Sequence, residues 1–217
     1  AQLKGLFMKL YYSPGACSMA VHIAARETRL PLELVKVNLA TRKLPDGGDY
    51  LAVNPRGYVP VLHLDDGTRL TEVTALLQYI ADAHPAADLI PAAGTIDRVR
   101  QNGWLNFVAT ELHVNFHPLF DRGAAESTKQ GAITTLSAYF AELNQLFATQ
   151  PYLMGKQFTV ADIYAFTVIS WSNLLNVSLA PYPSLLSFLG RVGQRPAVIA
   201  ALQAEGLMPV SPEMVCT

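Results

Sequence analysis

The sequence predicts an α/β domain followed by an all-helical domain. Up to about residue 84, short apolar or alternating stretches are interleaved with helix-forming runs. A linker with Pro85, Pro91 and Gly94 follows at His84–Gly94. Beyond it, only long runs with helical spacing recur.

Met8–Tyr12 reads as a buried strand, and Cys17–Arg29 as a helix with Ala20, Ile23, Ala24 and Glu27 at helical spacing. Leu32–Val37 alternates and reads as a second strand, and Thr41–Gly48 is a polar loop. Asn54-Pro55-Arg56-Gly57 is a turn cluster, followed by a strand at Val61–Leu64. Asp65-Asp66-Gly67 signals a hairpin returning through Thr68–Leu70. Thr71-Glu72 opens a helix to about Ala83, with Leu76, Leu77 and Ile80 on one face. The order is therefore β-α-β, then β-β-α.

In the second part, Thr95–His117 reads as one long helix ended by His117-Pro118. A second long helix spans about Glu126–Ala148. Phe158–Ile163 is a helix start: Thr159 caps, Asp162 reaches back, and Phe158 packs on Ile163. Pro183–Arg191 and Pro196–Glu205 are short helices with proline near the first position. Ala1–Phe7 reads as a short extension or cloning remnant ahead of Met8, and Met208–Thr217 as a poorly ordered polar tail.

At 217 residues the chain can bury a full core, and 51% hydrophobic against 15% charged residues excludes disorder. A net charge of −1 argues against a general nucleic-acid binder. No apolar run reaches the roughly 18–20 residues needed to span a bilayer. Cys17 and Cys216 lie at opposite ends with no C-x-x-C pair, so neither a disulfide framework nor a metal site is expected. A reducing, cytoplasmic setting fits this cysteine usage.

The residues that could carry chemistry start with Cys17, at the junction of a strand end and a helix start after Ser13-Pro14-Gly15. Unpaired N–H groups and the helix dipole there should make its thiol ionise more readily than a free cysteine. Against this stands the commonest fate of a lone cysteine, a small buried apolar residue. Val59-Pro60, at the mouth of a strand, is a candidate cis bond, and Val59 could then pair with an extended peptide-like ligand. Free N–H groups at Val73 suit a carboxylate, and Glu72 beside them suits an ammonium group. Asn106 and His113 lie seven residues apart, on one face of an ideal helix. His113 could donate a hydrogen bond to a sulfur and titrate near neutrality. His22, His63 and His84 show no partners and read as structural.

These positions converge on a family. Tyr-Ser-Pro-Gly-Ala-Cys-Ser (12–18), Val-Asn-Pro-Arg-Gly-Tyr-Val-Pro-Val-Leu (53–62), Leu-Thr-Glu (70–72), Trp-Leu-Asn-Phe-Val-Ala-Thr-Glu-Leu-His (104–113) and Phe-Thr-Val-Ala-Asp (158–162) resemble the bacterial beta-class glutathione S-transferases. The likeness implies a thioredoxin-like glutathione-binding domain over 8–84 and an all-helical domain over 95–207 lining the electrophile pocket. It implies a homodimer that conjugates glutathione to small hydrophobic electrophiles, without metal, nucleic acid or membrane. Cys17 then matches a cysteine at the glutathione sulfur, with possible thiol–disulfide exchange, and Ser18 and His113 are further catalytic candidates. Tyr58, Val59 and Pro60 would hold the cysteinyl part, Glu72 and Val73 the γ-glutamyl end, and Arg42 the glycyl carboxylate. Asn106 would reach the ligand of the neighbouring subunit. Val73 replaces a serine hydroxyl and Val114 a lysine of many relatives. Those two departures motivate a weakly binding or scaffold protein as an alternative, and Cys17 motivates a glutaredoxin-like reductase as another.

Overall fold

The computed structural model describes residues 8–208. The expected extension at 1–7 and nearly all of the expected tail lie outside them. Four strands, β1 (Met8–Tyr12), β2 (Leu32–Lys36), β3 (Val61–His63) and β4 (Arg69–Leu70), form one sheet in the order β2-β1-β3-β4. β1 and β2 run parallel, with Leu10 opposite Leu34, while β3 and β4 are antiparallel to their neighbours. The parallel pair needs a crossover, and α1 (Ser18–Glu27) supplies it. α2 (Val73–Ala83) follows the hairpin and buries Leu76, Leu77 and Ile80, the face its spacing predicts.

The rest is helical: α3 (Ile96–Phe107), α4 (Val114–Phe120), α5 (Glu126–Phe147), α6 (Val160–Ile169), α7 (Trp171–Leu174), α8 (Pro183–Gly193) and α9 (Pro196–Ala204). α6 is buried at all ten positions. Its start is the capping box read from the sequence, with the Asp162 carboxylate accepting from the Thr159 N–H at 2.8 Å. Among the described residues, no helix is long and apolar enough to cross a membrane.

Two expectations need correction. The long helix does not end at His117-Pro118: α4 continues to Phe120 with Pro118 inside it. Between α3 and α4, Val108–His113 is a π-helical segment. An inserted residue rotates everything downstream by about 100°. Asn106 and His113 therefore do not share the face that a 3.6-residue period assigns them.

The chain forms two compact units. The first reaches to Asp88 and takes in the last helix from Pro196; the second runs from Leu89 to Arg195. The expected helical domain, 95–207, thus differs by one element. α9 packs on α1, and two hydrogen bonds explain why. The buried Glu205 carboxylate accepts from the Gly15 N–H at 2.9 Å and meets His22 Nδ1 at 2.9 Å. Arg26 Nε donates to His22 Nε2 at 2.8 Å, completing a chain from α9 to the turn before α1. His22 is thus anchored, although the sequence showed it no partner.

Candidate functional site

The turn between β1 and α1 is held from both sides. Gly15 takes φ +70, a conformation open to glycine, and Glu205 caps its N–H. Ser18 is fully buried; its hydroxyl accepts from the Ser13 N–H at 3.2 Å and lies 3.3 Å from the Ser13 carbonyl as donor. The sequence offered Ser18 as a catalytic candidate. Its hydroxyl is instead engaged in shaping the turn that presents Cys17.

Cys17 is the half-buried N-cap of α1, and its thiol donates to the Val59 carbonyl at 3.3 Å. The N–H groups of Cys17 and Ser18 point at its sulfur and lower its pKa, as expected of a helix start. Burial acts more strongly in the opposite direction, and the Glu72 carboxylate adds to it. The thiol is pushed up to about 12. This overturns the expectation of an acidic cysteine, because burial is non-local and a strand–helix junction does not reveal it. In the protein without ligand, Cys17 is expected to react with iodoacetamide at pH 7.5 far more slowly than free glutathione. Mass mapping of its peptide checks this, and alkylation at the rate of an ordinary thiol contradicts it.

The Val59–Pro60 bond is cis, as the sequence suggested. The Tyr58 carbonyl just before it accepts from Tyr50 Oη at 2.8 Å and Asn54 Nδ2 at 2.7 Å, leaving the Tyr58 ring 67% exposed. Among the described residues the Val59 N–H, outside the β3 ladder, has no hydrogen-bond partner. Its carbonyl keeps a second lone pair beside the Cys17 bond. Arg42 Nη1 donates to the Gly57 carbonyl at 2.5 Å. The residue expected to meet a glycyl carboxylate thus holds the Asn54–Gly57 turn. Gly57 takes φ +69, and a Cβ there would stand 3.0 Å from Arg42 Nε.

Glu72 precedes α2 at φ 71, ψ 114, a region that costs a non-glycine residue roughly 1–3 kcal/mol. Its carbonyl accepts the Leu76 N–H, but its side chain does not cap the helix. The leading N–H groups of α2, starting at the buried Val73, have no intrahelical partner. The Glu72 carboxylate meets Arg56 Nη1 at 3.1 Å in an exposed ion pair that the sequence reading did not foresee.

In the second unit, His113 closes the π segment. Its Nδ1 lies 2.7 Å from Tyr164 Oη, and its ring packs edge-on with Trp171 at 4.9 Å and His117 at 5.1 Å. Burial, with a smaller contribution from His117, lowers its pKa to about 4. It is therefore neutral through the physiological range, not a group titrating near 7. Its imidazole resonances are expected to stay constant from pH 8 to 5.5, whereas a midpoint near 6.5 contradicts the packing. Asn106 is exposed on α3, its carbonyl accepting from Thr110 Oγ1. Among the described residues there is no cluster of three or more metal-ligating side chains.

A four-stranded sheet with a cis-proline strand entry and a cysteine at the mouth of α1, followed by a helical unit, is the architecture of a thiol-handling transferase. The models for the glutathione S-transferase N-terminal and C-terminal domains match residues 15–83 and 111–205. The chain belongs to the glutathione S-transferase family, with glutathione as its co-substrate. It is 42% identical to glutathione S-transferase GstA of Escherichia coli O157:H7 over 92% of this chain and 100% of the relative. It is similar to the bacterial beta-class glutathione S-transferase of Sphingomonas chungbukensis, with 46% identity and a TM-score of 0.89 over 92% of this chain and 100% of that one. The structure of a sphingomonad glutathione S-transferase complexed with glutathione has 46% identity and a TM-score of 0.88, covering 92% and 99%.

Proposed function

We infer that the chain is a cytoplasmic enzyme that joins the glutathione thiolate to a small hydrophobic electrophile. The tripeptide lies along the first unit. Its cysteinyl backbone pairs with Val59 in an extended, strand-like manner, and its γ-glutamyl end sits at Glu72 and the start of α2. Its thiol gives its proton to water, and its sulfur uses its own electron pair to form a bond to carbon. Either the displaced group leaves with the electrons of its old bond, or the electrons of the attacked double bond move to the far atom, which takes up a proton. The observation that carries this reading is the convergence of Cys17, the Val59 backbone and Glu72 on one unit: the thiol bonds the Val59 carbonyl and feels the Glu72 charge.

Cys17, its thiol bonded to the Val59 carbonyl and its pKa raised by burial, suits a supporting part as a protonated thiol, and Cys17→Ala is expected to retain conjugation. His113, held neutral against Tyr164, is a hydrogen-bonding rather than a charged contributor. In the helical unit, Val114 and Phe120 are exposed apolar side chains, Phe120 packing on Trp171 at 5.3 Å, which suits an apolar second substrate.

The chain also reads as a homodimer. Ile96 and Val99 are exposed and Gly103 is open beyond its Cα, all on one stripe of α3. Light scattering checks the mass, with Val99→Glu expected to shift it toward the monomer. Calorimetric titration with glutathione and its S-conjugates, followed by turnover with an aromatic halide, tests the enzymatic reading. Absence of heat with every thiol ligand overturns it.

A further inference from the structure

We propose that Arg56 is a ligand-binding residue of the γ-glutamyl end, donating to its α-carboxylate where α2 offers only backbone N–H groups. The proposal deepens the glutathione reading above and rests on it. That end of the ligand carries an ammonium and a carboxylate on one carbon. A surface that recognises both charges must present an anion and a cation side by side. Arg56 and Glu72 do so, with Nη1 and Oε1 3.1 Å apart.

The backbone beneath Arg56 is fixed. Its N–H donates to Asn54 Oδ1 at 3.2 Å, the Gly57 N–H donates to the Asn54 carbonyl at 2.8 Å, and Arg42 clamps the Gly57 carbonyl. The guanidinium itself is solvent-facing, with side-chain exposures of 71% for Arg56 and 68% for Glu72. An ion pair this exposed adds little to stability, so both groups can exchange partners at small cost. The bond to Glu72 uses one of five guanidinium N–H groups, and the planar fork is matched to a carboxylate.

The start of α2 shows why such a donor matters. Val73 brings no hydroxyl, no side chain caps the helix, and its first turn holds no acidic group to compete for an anion. In the complex, the ligand ammonium takes the Glu72 carboxylate while the ligand carboxylate bridges Arg56 and the leading N–H groups of α2. The existing ion pair then opens into two charge pairs across one carbon.

The test is calorimetry of the wild-type protein and Arg56→Gln with three thiols: glutathione, glutaryl-Cys-Gly, which lacks the ammonium, and 4-aminobutyryl-Cys-Gly, which lacks the α-carboxylate. The substitution lies on the surface, and an unchanged melting curve verifies folding. The expected result is a loss of about 10-fold for glutathione and the glutaryl analogue, the lower end for a hydrogen bond to a charged group. The aminobutyryl analogue should bind both proteins alike, and Arg56→Lys should restore part of the loss. Tighter binding of glutathione by Arg56→Gln would make Arg56 a competitor for Glu72 and overturn the proposal. An equal loss for all three thiols overturns it as well, since that marks a positioning role. Wild-type binding with an unchanged variant defeats the Arg56 assignment alone. Failure of the wild-type protein to bind any of the thiols defeats the glutathione reading too.

Discussion

Replacing Glu205 by alanine is expected to destabilise the first unit by about 3–5 kcal/mol, because two donors lose their bonds to a buried carboxylate, each worth about 1.5–3 kcal/mol. The carboxylate is wholly buried and bonds His22 Nδ1 and the Gly15 N–H, each at 2.9 Å. Its removal leaves a cavity, takes the carboxylate acceptor from the Gly15 N–H in a turn at φ +70, and leaves a His22–Arg26 pair facing no anion. Glu205→Gln keeps the shape but presents an amide donor to one of two donors, so an intermediate loss of about 1–3 kcal/mol is expected. Urea unfolding measures both. Because the same turn presents Cys17, glutathione affinity should fall with stability in Glu205→Ala. A variant as stable as the parent would falsify the role given to this residue.

Asp162→Ala is expected to be nearly as damaging. The buried carboxylate accepts from the Leu153 N–H and the Thr159 N–H, both at 2.8 Å, and from the Thr159 hydroxyl at 3.0 Å. Three donors lose their acceptor at once, and each bond to a charged group is worth about 1.5–3 kcal/mol before non-additivity. With partial additivity, a total of about 3–5 kcal/mol is the expectation for the second unit. Burial also raises the Asp162 pKa from 3.8 to about 6, outweighing the lowering by those three bonds. The sign follows directly. A folded-state pKa above the unfolded one favours the protonated form, so this contribution is fully present below pH ~4 and is lost as pH rises through ~6. Each pKa unit corresponds to about 1.4 kcal/mol. Comparing wild type with Asp162→Ala between pH 4 and 7, the gap should narrow as pH rises. A gap that widens with pH shows the carboxylate to be ionised throughout.

Asp162 was legible because its chemistry is local: Thr159 and Asp162 are three residues apart and announce a helix start. β1, Met8–Tyr12, was legible to its end residues, since a short apolar run ahead of a Pro-Gly turn has few other fates. The cis bond at Val59–Pro60 and the helix start after Glu72 also follow from neighbours in sequence. What stayed hidden is non-local. Glu205 is 183 residues from His22, and no periodicity links them. The acidity expected of Cys17 rested on helix-start N–H groups that are indeed present, but burial from elsewhere in the fold outweighs them. His113 went astray through the assumption of a constant 3.6-residue period, which the π segment breaks. The Arg56–Glu72 pair joins positions 16 residues apart, across a turn and a hairpin.

The bond from Gly15 to Glu205 spans 190 residues. At a synthesis rate of 5–20 residues per second, the acceptor for that N–H leaves the ribosome roughly 10–40 s after the donor. Until then the thiol-bearing turn has its own short-range contacts but not its anchor. A nascent chain therefore cannot present a finished thiol-bearing turn early, however quickly its sheet pairs, and a segment made well before Glu205 waits for that residue to be completed.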